Sequence, residues 1–132
     1  MHAQRSTTPF AILLRAAIVG LTLATGWIHL TLGGVLFELN GLGYFVAAVA
    51  MVAPISIAIR YRWFVRLGLV AYAVTAIVGW YLTGPRYDVA YLAKAIEVAL
   101  IALLAIEIRA HDGNPLRRFR DLRHPAGRPV GA

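Results

Sequence analysis

Lys94 and Glu97 lie three residues apart in an otherwise apolar stretch. On a helix that spacing puts them on one face, where they can pair. Within a membrane, ionisable groups are costly and by default suggest function. Two readings stand: an ion pair that holds a helix in register, or a charged anchor for a ligand headgroup or proton. Glu97 is the deeper acid and the stronger candidate. The other polar residues in apolar surroundings are His29, Glu38 and Asn40. A neutral imidazole can ligate a metal or shuttle protons, and Glu38 is a candidate partner for His29. His29, Glu38 and Glu97 would together offer one nitrogen and two carboxylates, enough in principle for zinc or iron. Their spacing follows no ligand signature, so no metal site is expected. Bis-histidine haem would need a second histidine from a symmetric dimer, and no haem or other cofactor is expected either.

Aromatic residues accompany these groups. Trp27, Tyr44, Trp80 and Tyr91 could line a pocket with them, and Arg86 and Asp88 lie in an adjacent polar loop. An apolar cavity with a few convergent polar groups is the general form of a small-molecule site. A lipid, isoprenoid or quinone would suit this one. The plainer reading of the same aromatics is an interfacial belt.

The elements that must position these residues follow from composition. Of 132 residues, 60% are hydrophobic and 14% charged, and the mean hydropathy is +0.70. These values exclude a disordered chain and a disulfide scaffold, and point to a small integral membrane protein. There are no cysteines, which removes thiol nucleophiles, Cys-ligated zinc and iron–sulfur clusters. No Walker loop, GxSxG, HExxH or kinase motif is present. The apolar run after the N-terminus is too long for a signal-peptide core, so the first span reads as retained.

A bilayer core about 30 Å thick needs roughly 20 mainly apolar residues per helix. Four segments qualify, at 10–32, 35–59, 64–82 and 89–108. Residues 1–109 then form one all-α domain, an antiparallel up-down-up-down bundle of four transmembrane helices. The break between the first two spans is placed at Gly33-Gly34. Pro54 falls inside the second span, where a kink is expected and not a break. Small residues recur at helical spacing: Ala16, Gly20 and Ala24; Ala47, Ala50 and Pro54; Gly68, Ala71 and Thr75; Ala95, Ala99 and Ala102. Such stripes are expected to be the packing faces of the bundle.

Charge orients the chain. Eleven arginines flank the start of span one, the connection between spans two and three, and the end of span four; Arg86 alone lies on the other side. Under the positive-inside rule both termini are cytoplasmic, which fits an even number of spans in the plasma membrane. The candidate residues then gather in the outer half of the bilayer. Residues 110–132 form a basic tail, expected to be disordered or membrane-bound. There Arg117, Arg118, Arg120 and Arg123 would face anionic lipid, each contributing roughly 1 kcal/mol. No fold surrounds this segment, so nucleic acid is not an expected partner.

The first functional expectation is a non-catalytic accessory or scaffold subunit of a larger membrane complex, with other membrane subunits or further copies of itself as partners. The second is a bundle that binds or transports a lipophilic ligand through an outer polar pocket. The third is a small membrane enzyme or proton-relay component.

Overall fold

The computed structural model describes residues 8–112 together with 116, 117, 119 and 120. Four helices follow one another: α1 (Pro9–Thr31), α2 (Val35–Val52), α3 (Ser56–Thr83) and α4 (Asp88–Glu107), with a π-helical turn, Ile108–Asp112, continuing α4. All four are long and apolar enough to cross a membrane. By length and composition the chain is an integral membrane protein.

Local chemistry sets the helix ends. Thr8 caps α1, its Oγ1 accepting from the Ala11 amide at 3.3 Å, and Pro9 occupies the first helical position, where its missing N–H costs nothing. Gly33 and Gly34 have φ of 72° and 99°. That left-handed backbone is open to glycine at little cost and turns the chain into α2. Spans one and four end within one residue of their expected limits.

Span two is corrected. Pro54 does not kink a longer helix; α2 stops at Val52, and Ala53 is extended, with ψ 125°. The proline ring disfavours helical backbone in the residue before it. The connection shrinks to residues 53–55, and α3 starts at Ser56 instead of 64. Arg60, Arg62 and Arg66 therefore lie within α3. Arg62 donates from Nη2 to the Ala53 carbonyl at 3.0 Å, meeting a group freed at the turn.

Each helix packs on the next in chain order, and α4 closes the ring on α1. This is an all-α, antiparallel up-down-up-down bundle. Its core runs through Leu14 and Ile18 of α1, Tyr44 and Met51 of α2, Leu69 of α3, and Leu100 and Leu104 of α4. A close helix approach joins α1 to α2 at Gly26 and Gly41. A Cβ on Gly41 would lie 2.8 Å from both the Gly26 carbonyl oxygen and Leu30.

The small-residue stripes mostly face the other way. Ala16, Gly20, Gly68, Ala71, Thr75, Ala95, Ala99 and Ala102 are all exposed on the outside of the bundle. Ala24, Ala47 and Ala50 are half-buried. In a chain whose lipid-facing side is also apolar, side-chain size alone does not separate inside from outside. Polar residues make that distinction here. Thr22, Thr25, His29, Arg66, Glu97 and Glu107 are all buried.

Candidate functional site

Two carboxylates organise the interior. Glu97 is fully buried and saturated with donors. Its Oε1 accepts from Thr25 Oγ1 at 3.2 Å and from the Tyr44 hydroxyl at 3.1 Å. Its Oε2 accepts from Lys94 Nζ at 2.6 Å. His29 Nε2 stands 3.7 Å from Oε1. Three helices thus converge on one acid, and α3 joins through the Ala76 carbonyl, which lies 3.4 Å from Lys94 Nζ. Charge-assisted bonds of this kind are the strong ones, and a buried acid so fully satisfied is held in one position.

The His29 ring is oriented by its other nitrogen. Nδ1 lies 2.7 Å from the Thr25 carbonyl oxygen. A carbonyl only accepts, so Nδ1 carries the proton and neutral His29 presents a lone pair at Nε2. Tyr44 stacks obliquely on this ring at 5.6 Å and meets Tyr72 edge-on at 4.8 Å. Tyr72 in turn donates to the Asn40 carbonyl at 2.9 Å.

Beside this cluster lies a cavity of about 490 Å³, bounded by all four helices and the α3–α4 loop. Its walls are mainly apolar, from Leu32, Leu36, Phe37, Leu39, Ala76 and Trp80. His29, Asn40 and Lys94 supply polar edges. Asn40 lines the cavity, and its side-chain amide makes no hydrogen bond within the described residues.

The expected site residues separate into two groups. His29, Asn40, Tyr44, Lys94 and Glu97 come together, and Trp80 lines the cavity wall. Glu38 does not join them: it is exposed in the first turn of α2 and its carboxylate has no partner among the described residues. Near a helix N-terminus a carboxylate is stabilised by the helix dipole, which accounts for it there. Trp27 is 64% exposed and Tyr91 50%, so both stand on the outer surface as a belt. Tyr91 touches Trp80 edge-on at 5.2 Å.

Arg86 closes the end of α3. It donates to the Tyr81 carbonyl at 2.6 Å and lies over the Trp80 ring at 4.2 Å. Cations are favoured at helix C-termini. Asp88 is exposed in the first turn of α4. Neither side chain lines the cavity. Among the described residues no three histidines or acids gather as metal ligands, and the His29–Glu38–Glu97 combination does not form. Arg117 and Arg120 are exposed, while Arg118, Arg123 and most of the basic tail lie outside the described residues. Phe119 meets Trp63 of α3 edge-on at 5.4 Å.

The second acid was not singled out from sequence. Glu107 is fully buried. Arg15 Nε and Nη2 donate to its Oε1 at 2.9 and 2.8 Å, and Arg66 Nε donates to Oε2 at 2.9 Å. The three residues tie α1, α3 and α4 together at the opposite end of the bundle. The available signal was Glu107 itself, an acid bracketed by Leu103, Leu104, Ile106 and Ile108. Tyr72 and Thr25 were also missed, since hydroxyl residues in an apolar helix can bond their own backbone and go unnoticed.

No protein-family model, characterised protein or solved structure matches this chain.

Proposed function

We propose that this protein is a small membrane-embedded binding bundle that seats a neutral amphipathic molecule of the isoprenoid or quinone type. The observation that carries this reading is the cavity of about 490 Å³ with His29, Asn40 and Lys94 at its polar edge. Pockets of ~300–1,000 Å³ with apolar walls and a few convergent polar groups are the usual small-molecule sites. The head of the ligand is specified by charge. Lys94 and Glu97 neutralise each other, so a net-charged head would go without a counterion. A carbonyl or hydroxyl oxygen can instead accept from the Asn40 amide and the remaining Lys94 proton, and a hydroxyl can also donate to the His29 lone pair. The tail lies along the leucine and phenylalanine walls.

Binding is favoured over relay or flux because the polar cluster is a dead end. Leu100 and Leu104 are buried between Glu97 and Glu107 on α4 and pack in one apolar cluster with Ile18, Met51 and Leu69, and apolar layers of this kind exclude water. The arginine asymmetry supports cytoplasmic termini, and with that threading the cavity belongs to the outer half of the plasma membrane.

The test is to purify the protein in mild detergent and identify co-extracted small molecules by mass spectrometry. One neutral amphiphile per chain is expected. Gly79 lines the cavity, and a Cβ there meets nothing within 4 Å. Gly79→Trp should therefore displace the ligand while the bundle still folds, and His29→Ala should weaken its retention. The same molecule kept by Gly79→Trp, or none in the wild type, refutes the proposal.

A second reading, an accessory subunit of a larger complex, is favoured by the outward small-residue faces of α3 and α4 at Gly68, Ala71, Ala95 and Ala99. Such faces allow close helix approach in lipid. Recovery of a stoichiometric partner under the same conditions supports it, and isolation as a lone stable species argues against it.

A further inference from the structure

The polar edge of the cavity holds an acceptor as well as donors, and the acceptor discriminates between ligand heads. His29 lines the cavity and is otherwise buried. Its Nδ1 proton is committed to the Thr25 carbonyl oxygen at 2.7 Å, so Nε2 can only accept. Nε2 stands 3.7 Å from Glu97 Oε1, beyond hydrogen-bond length. A carboxylate oxygen is also an acceptor, so the two atoms have no proton to share. Oε1 is already served by Thr25 and Tyr44. His29 Nε2 accepts from no donor among the described residues. A buried acceptor left unmatched is costly, and one that is matched is not.

Lys94 supplies the complement. An ammonium has three donors. One goes to Glu97 Oε2 at 2.6 Å and a second to the Ala76 carbonyl at 3.4 Å. The third is left over, and Lys94 lines the same cavity as His29. Both residues stand against the carboxylate of Glu97, so a single acid sets an acceptor and a donor beside each other.

The common uncharged heads answer this pair differently. A carbonyl or ether oxygen only accepts. It can meet Lys94, but it turns lone pairs toward His29. A hydroxyl has one proton to donate and two lone pairs to accept with. We infer that the site selects a lipid alcohol, whose hydroxyl donates to His29 Nε2 and accepts from Lys94 Nζ, and that His29 sets the preference for hydroxyl over carbonyl heads. The preference rests on the ligand-binding reading of this cavity and narrows it to molecules such as a prenyl alcohol or a quinol. Water offers the same hydroxyl, but the apolar walls at Leu36, Phe37 and Leu39 favour a head that carries a hydrocarbon tail.

The experiment is native mass spectrometry of the full chain in detergent with two matched pairs of probes. Farnesol is compared with farnesyl methyl ether, and decylubiquinol with decylubiquinone under anaerobic conditions. Each hydroxyl probe should bind about tenfold or more tighter than its partner, the scale of one buried hydrogen bond. His29→Phe keeps a ring beside Tyr44 and removes the acceptor, so it should erase the ratio while the ether still binds. Because His29 is buried, that variant can lose the fold. The ¹⁵N spectrum of histidine-labelled wild type therefore supplies an arm without mutation: farnesol should shift the unprotonated nitrogen of one imidazole, and the ether should leave it in place. Equal binding within the pairs, an imidazole nitrogen unmoved by farnesol, or a ratio that survives in folded His29→Phe would each overturn the inference and leave the ligand site standing. Binding of none of the four probes would overturn the ligand-binding reading as well.

Discussion

Glu97 and Glu107 both point into the bundle from α4, ten residues apart, with the buried side chains of Leu100 and Leu104 between them. The separation along the helix is about 15 Å. Each acid gathers donors from other helices, but the two sets do not overlap. Glu97 holds α1, α2 and α4 around a hydroxyl, phenol and ammonium cluster. Glu107 holds α1 and α3 through two arginines. One helix therefore carries two polar nodes with an apolar layer between, and the nodes should respond separately to mutation.

Glu107→Gln should be strongly destabilising. It leaves Arg15 and Arg66 facing each other without the carboxylate. Removing one member of a buried ion cluster costs roughly 3–5 kcal/mol, whereas replacing every member with apolar residues of similar volume is often neutral. Thermal melting in detergent should show a large loss for Glu107→Gln. Much of it should be recovered by the combined Arg15→Met, Arg66→Met, Glu107→Leu variant. A single variant as stable as the wild type would mean that the cluster contributes little.

Tyr44→Phe addresses the other node. The phenol donates to Glu97 at 3.1 Å and is fully buried. Its loss removes one hydrogen bond to a charged acceptor, worth about 1.5–3 kcal/mol, and leaves the ring packing intact. Thr25 and Lys94 still hold the carboxylate. The variant should therefore melt somewhat lower and keep its small molecule. Glu97→Gln should lose the molecule as well, because Lys94 is then an uncompensated cation at the cavity edge. Equal ligand retention in both variants would separate the cluster from the cavity.

The sequence made the helix count legible because four apolar segments of spanning length are hard to read otherwise. It also separated Lys94, Glu97, His29 and Asn40 from the background, since polar side chains inside apolar helices are rare. It misplaced Pro54 because tolerance of proline depends on neighbours that a single chain does not display. It missed Glu107 because an acid counted from the end of a span looks cheap; the arginines that make it costly to remove arrive from 92 and 41 residues away. It turned the small-residue stripes inward because lipid and protein core have similar polarity. The pairing of Glu38 with His29 failed for a related reason: closeness in depth does not fix which face of a helix a residue occupies.

Glycine substitutions test the close contact directly. At Gly41 a Cβ would meet the Gly26 carbonyl oxygen at 2.8 Å, and backbone cannot move aside cheaply. Gly41→Ala should destabilise by about 1–3 kcal/mol, as over-packing does. Gly68→Ala meets nothing within 4 Å and should melt at or slightly above the wild type, since alanine is the better helix former. If the two variants behave alike, α1 and α2 do not touch at that point.

The last expectation concerns threading, on which the direction of ligand entry depends. Under the positive-inside rule the arginine count predicts that the Glu107 end of the bundle is cytoplasmic and the cavity near the outer surface. Reporter fusions after Ala132 should be active only with a reporter that works inside the cell. A fusion within the α3–α4 loop, near Arg86, should be active only with one that works outside. Changing Arg60, Arg62 and Arg66 together should weaken this preference, although Arg66 must be separated from the others because it also bonds Glu107. Arg60→Gln with Arg62→Gln is therefore the cleaner variant. A C-terminal reporter active outside the cell in the wild type would reverse the bundle, place the cavity in the inner leaflet, and require the ligand to arrive from the cytoplasmic side.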